Sequence, residues 1–172
     1  MRRHRVGPLG PLVILLCSFA AAPARAAEPA WISFNTGPIE IFDDDTRAHL
    51  GAELRFPPLR YRWFPRFLPG LSPTAGALFA ARGTLYGYAG VRADLPLGGT
   101  WELSPQFAAG IYSHGKGINL GGAVEYRSGI EISRAFGSRR RAGLLLFHLS
   151  NAGFYRNNPG TEGLVFTWSL RP

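Results

Sequence analysis

Apolar residues recur at every second position along most of this chain, and beyond residue 26 they never form a long continuous run. In Arg47–Phe56, Ala48, Leu50, Ala52, Leu54 and Phe56 alternate with Arg47, His49, Gly51, Glu53 and Arg55. Between 120 and 132, Val124, Tyr126, Ile130 and Ile132 alternate with Glu125, Arg127, Gly129 and Glu131. A two-residue period belongs to strands, whose successive side chains point to opposite faces. Charges confined to one parity predict a closed wall, with lipid on the apolar side and paired ions inside. A content of 46% hydrophobic residues with 22 glycines suits such a wall. The expected fold is all-β: an eight-stranded antiparallel transmembrane β-barrel, with strands near 30–41, 47–56, 73–81, 84–94, 100–113, 120–134, 140–150 and 162–170. Turns at 95–99 and 136–138 are short, as periplasmic turns are, whereas 57–72 is long and sets Tyr61, Trp63, Phe64 and Phe67 among Arg60, Arg62 and Arg66. A soluble sandwich or lipocalin-like barrel would also alternate. It would not carry apolar parity on nearly every strand or close on Phe166, Trp168 and Leu170.

Residues 1–26 read as a signal peptide: Arg2, Arg3 and Arg5, an apolar stretch broken by Pro11, and a small-x-small site at Ala24-Arg25-Ala26. That stretch falls short of the ~20 residues a spanning helix needs. One domain, 27–172, remains. Without Arg2, Arg3, Arg5 and Arg25, the 19 basic residues become 15 against 11 acidic, and the net charge falls from +8 to +4. The basic excess is therefore partly the signal's, and no nucleic-acid partner is expected from it. Cys17 is the only cysteine and lies in the signal, which removes disulfides, thiolate catalysis and Cys-bound metal from consideration.

His148-Leu149-Ser150-Asn151, followed by Asn158-Pro159-Gly160-Thr161-Glu162, holds a base, a hydroxyl and a carboxylate on two adjacent strand-like runs. His148 and Ser150 are two apart and share a face. A return through 151–161 brings Glu162 beside them, and triads are recognised by geometry and role rather than by chain order. Glu162 also shares parity with Leu164, Phe166, Trp168 and Leu170, so the three catalytic candidates are expected on the lipid-facing wall. A charged group there is tolerable near the interface, where its cost is about 0–1 kcal/mol.

These residues resemble the motif of the PagL-type lipid A 3-O-deacylases: His, any residue, Ser, Asn, then a downstream Asn and Glu, here His148, Ser150, Asn151, Asn158 and Glu162. The resemblance implies an integral protein of the Gram-negative outer membrane. It also implies a serine esterase that cleaves the 3-O-linked acyl chain of lipid A in lipopolysaccharide and releases a 3-hydroxy fatty acid, with no cofactor or metal. It further suggests Asn151 and Asn158 as donors to the oxyanion. The alternative is a non-catalytic eight-stranded structural or adhesion barrel. The sequence leaves acyl-length preference and oligomeric state open.

Other candidates have duller readings. Asp43, Asp44 and Asp45 offer hard oxygen ligands to a cation such as calcium, though a solvated turn explains them as well. His114 and Lys116 lie in an outer loop within reach of lipid A phosphate or sugar. His49 shares parity with Glu53 and Arg55, which predicts a hydrogen bond in the lumen.

Overall fold

The computed structural model describes residues 31–42, 46–59 and 70–172. The signal segment, Asp43–Asp45 and residues 60–69 lie outside the described residues, so the expectations placed on them are not addressed by the fold.

The strands are β1 Trp31–Ile39, β2 Arg47–Arg55, β3 Leu71–Ala80, β4 Thr84–Ala93, β5 Leu95–Gly98, β6 Trp101–Ser113, β7 Val124–Ala135, β8 Arg140–Ser150 and β9 Thr161–Leu170. All pairings are antiparallel. β4 bypasses the short β5 to pair with β6 (Leu85↔Ser113 through Arg92↔Gln106), and β1 closes on β9 (Ile32↔Leu170, Phe34↔Trp168). Eight strands thus make a closed barrel, as the alternation predicts. No described helix is long and apolar enough to cross a membrane.

Two local expectations need correction. Residues 95–99, read as a turn, instead extend β4 into a hairpin on β6 (Leu95↔Leu103) after a break at Asp94. At that break the Asp94 carboxylate accepts Arg92 Nε and Ser104 Oγ, both at 2.8 Å. The strand expected from Leu120 begins only at Val124, because Gly121 adopts φ +102° and the buried Leu120 turns inward.

The pleat sorts the side chains as the parity argument requires. Leu50 is 67% exposed while neighbouring His49 is 2% exposed. Phe34, Phe79, Phe107, Ile111, Leu144 and Phe166 face outward, and Glu53, Arg55, Arg92, Arg127 and Glu131 face in. These five inward charges pair with one another. Glu131 accepts Arg92 Nη1 (2.8 Å), Arg55 Nη2 (3.0 Å) and Thr167 Oγ1 (2.9 Å), and Glu53 accepts Arg127 Nη2 and Tyr88 Oη, each at 3.0 Å. Removing one partner from such a network typically costs ~3–5 kcal/mol, since it strands the other charge. His49 makes the expected lumen contact, Nε2 lying 2.7 Å from Asn35 Oδ1.

Toward the loop end the interior becomes apolar, with Ile39, Leu78, Tyr86, Phe147, Leu149 and Val165 in one cluster. Above it Glu40 pairs with Arg47 Nε (3.2 Å) and accepts the Ile118 amide (3.3 Å), and Arg47 donates to the Lys116 carbonyl. The described lumen thus carries an ionic network and, toward its loops, a packed apolar cluster.

Candidate active site

β8 and β9 run side by side with His148 directly opposite Glu162. Directly opposed residues on one face of an antiparallel pair have Cβ atoms only ~4.5–5.5 Å apart. The imidazole and carboxylate meet accordingly, with His148 Nδ1 2.9 Å from Glu162 Oε1. Their side chains are 44% and 30% exposed, and their strand neighbours Leu144, Leu146 and Leu164 are outward-facing. With Nδ1 engaged by the carboxylate, Nε2 is the nitrogen left to act as a base. Ser150 ends β8 on the same parity, opposite Tyr126 of β7. Among the described residues its hydroxyl makes no hydrogen bond. Catalytic contacts of this kind often close only with substrate in place.

A shallow groove runs from this pair down the outer wall, lined by Ser128, Gly129, Ile130, Leu146, His148 and Glu162. Ser128 lies opposite His148 on the outward face of β7, so a small residue there leaves the depression that a larger one would fill. Tyr126 borders the other side, with Phe107 stacked on it (5.9 Å) and Phe154 of the following loop tilted against it (5.8 Å).

The loop from Asn151 to Gly160 carries the chain from the hydroxyl back to the carboxylate, and Asn151 is its organiser. Fully buried, Asn151 donates Nδ2 to the carbonyls of Leu120 (2.6 Å) and Asn157 (2.7 Å), while its Oδ1 accepts the Gly153 amide (2.9 Å). Its own amide donates to Asn158 Oδ1 (3.0 Å). Asn157 Nδ2 in turn donates to the Asn119 carbonyl, and the ring of Tyr155 lies against Gly122. Both amide protons of Asn151 are therefore committed, and in this arrangement it cannot also donate to an oxyanion. These bonds give Asn151 a loop-positioning role. Asn158 is exposed, and its carbonyl oxygen is the part occupied.

Gly160 is a site residue that the turn-like Asn-Pro-Gly sequence conceals. It is buried, has φ +71°, and a Cβ placed on it would lie 2.6 Å from His148 Cε1. The available signal was parity, since Gly160 precedes Glu162 by two and points at the same ring. Gly160→Ala combines a left-handed backbone, roughly 1–2 kcal/mol unfavourable for a non-glycine residue, with a push on the imidazole. We expect it to fold, by heat-modifiable migration in gels, and to lose about tenfold to 10²-fold in turnover, the scale set by ångström misplacement of a reacting group. Wild-type turnover would show that the ring tolerates the displacement.

Comparison with known proteins bears on what this site serves. Residues 49–171, from β2 to the end of β9, match the family described as Lipid A 3-O-deacylase (PagL). The chain belongs to the PagL family. Among solved structures it is similar to the crystal structure of the outer membrane enzyme PagL, with a TM-score of 0.63 and 16% identity over 83% of this chain and 99% of that one. Neisserial surface protein A matches with a TM-score of 0.56 and 9% identity, covering 86% and 100% of the two chains. De novo designed transmembrane β-barrels match at 0.55 and 8%, covering 86% and 98%. Comparison with curated protein sequences gives no match. At such identities the structural matches establish the barrel alone, and a designed barrel fits nearly as well as a surface protein. It is the PagL-family match that points to lipid A 3-O-deacylation at an integral outer-membrane barrel, and the residues that would perform it have to be argued from the site.

Proposed function

We propose that this PagL-family chain hydrolyses the 3-O-linked acyl ester of lipid A with Ser150 as nucleophile, His148 as base and Glu162 as the carboxylate that orients it. The observation that carries this reading is the 2.9 Å His148–Glu162 contact on the outer wall, beside a serine of the same parity. Ser150 Oγ attacks the ester carbonyl as its proton passes to His148 Nε2, and the imidazolium then protonates the departing sugar oxygen. Water, activated by the same nitrogen, cleaves the acyl-serine and frees a 3-hydroxy fatty acid. Glu162 holds the tautomer and stabilises the imidazolium without taking the proton. Asn158 is the remaining side-chain candidate for the oxyanion, where one donor is typically worth ~10²–10³ in rate.

The partly exposed His148–Glu162 pair and the outer groove support lateral access. An acyl chain already in hydrocarbon can lie along Ile130 and Leu146 without leaving the leaflet, and the reacting ester needs little added desolvation. The chemistry requires only this chain's residues and water. Mass spectrometry of lipid A from Gram-negative cells with and without the protein tests the reading. The expected change is loss of one 3-hydroxyacyl group from a 3-O position, with the matching free acid recovered. Unaltered lipid A in the presence of folded protein would favour a non-catalytic barrel.

A further inference from the structure

At the opposite end of the barrel from the site, the end at which β1 begins and β9 finishes, the outer wall carries a row of aromatic rings and arginines. Trp101 of β6 pairs with Arg134 of β7, and the Arg134 guanidinium lies over two rings, 5.9 Å from the centre of Trp101 and 5.6 Å from that of Phe136. Phe136 stacks with Trp168 at 6.4 Å and hydrogen-bonds through its amide to the Arg140 carbonyl. Arg134 and Arg140 share the outward parity of Ile130, Ile132, Leu144 and Leu146, and Arg139 sits in the turn between them; all three arginines are exposed.

These cations have no carboxylate partner among the described residues. The nearby acids are engaged on the inner side: Asp94 by Arg92, and Glu102 by Arg141. Arg134 donates Nε to Thr100 Oγ1 at 3.4 Å, which leaves its two terminal nitrogens without a protein acceptor. A guanidinium fixed between ring faces, at the edge of an apolar wall, is preorganised for an oxyanion with bidentate geometry. Short turns mark the periplasmic end of outer-membrane barrels, and aromatic girdles mark the depth of the headgroups. The anion available at that depth is a lipid phosphate.

We propose that Arg134, Arg139 and Arg140, framed by Trp101, Phe136 and Trp168, form a binding site for the headgroup of an anionic phospholipid in the leaflet opposite the one that supplies the substrate. The acyl tails lie along the apolar wall below, and the phosphate meets the guanidinium groups. This site is separate from the Ser150 region and does not depend on its chemistry.

Tryptophan quenching by brominated lipids measures it directly, because Trp101 and Trp168 border the site. The folded protein is placed in phosphatidylcholine bilayers containing brominated phosphatidylglycerol or brominated phosphatidylcholine, and the relative association constant is read from the quenching. A juxtamembrane basic residue contributes a factor of about five, so three predict a preference for phosphatidylglycerol of up to about 10²-fold. The combined variant R134Q/R139Q/R140Q, verified as folded by heat-modifiable migration, is expected to bring the preference close to one. K116Q/R156Q at the loop end is expected to leave it unchanged. Equal quenching by the two lipids in the wild type, an unaltered preference in the rim variant, or an equal loss in the loop-end variant would each overturn the site.

Discussion

We expect Ser150→Ala to leave a folded barrel that no longer deacylates lipid A. The hydroxyl makes no hydrogen bond among the described residues, and its removal strands no buried polar group, so stability should change by less than ~1 kcal/mol, the range of surface substitutions. Activity responds on a different scale. Loss of a triad nucleophile removes up to about 10⁶ in turnover, leaving only what positioning and the oxyanion site supply. The measurement pairs heat-modifiable migration with the rate of 3-hydroxy acid release from purified lipid A in mixed micelles. Hydrolysis at the wild-type rate by the alanine variant would remove Ser150 from the mechanism and leave the His148–Glu162 pair in need of another role.

The second large effect separates the carboxylate from the base. Glu162→Ala deletes the acceptor at His148 Nδ1, so the ring loses its preferred tautomer and its anchor. The expected fall in rate is up to ~10⁴, smaller than for Ser150→Ala or His148→Ala. Glu162→Gln should fall in the same direction, because an amide keeps a hydrogen-bonding oxygen but loses the charge that stabilises the imidazolium. Turnover of the four variants on one substrate gives the ranking. Full activity in Glu162→Ala would reassign the carboxylate to structure, and an effect equal to His148→Ala would mean that the base cannot work at all without it.

Much of this architecture is readable in the residues because the strand period and the membrane impose the same pattern. One parity of Arg47–Phe56 carries every charge of that run, and the barrel places that parity inside without exception. Likewise the parity of Glu162 with Leu164 and Phe166 is enough to set the site on the outer wall, since a one-residue slip would turn the whole strand over. The pairing of His148 with Glu162 follows once the β8–β9 register is fixed.

What stayed hidden depends on side chains meeting across loops. Nothing in the alternation distinguishes Leu120 from a strand residue; its inward turn is decided by Gly121 and by the Asn151 amide that takes its carbonyl. The same contact could not be read from the motif: the motif places Asn151 near the chemistry, and the hydrogen bonds add that its side-chain amide also holds the loop. Asp94 ends β4 because Arg92 and Ser104 capture its carboxylate, a tertiary event without a local signature. Gly160 passed for turn chemistry because a missing side chain leaves no mark until the ring that needs the space is in view.

The central claim is that a serine on the lipid-facing wall becomes covalently acylated with help from the neighbouring imidazole. A fluorophosphonate probe carrying an alkyl chain reports this most directly: an activated serine displaces fluoride and retains the phosphonyl group, and peptide mass spectrometry then locates the adduct. The account predicts stoichiometric labelling at Ser150, slowed strongly in His148→Ala and absent in Ser150→Ala. Labelling confined to another residue, or lipid A hydrolysis continuing undiminished while Ser150 is fully blocked, would contradict it.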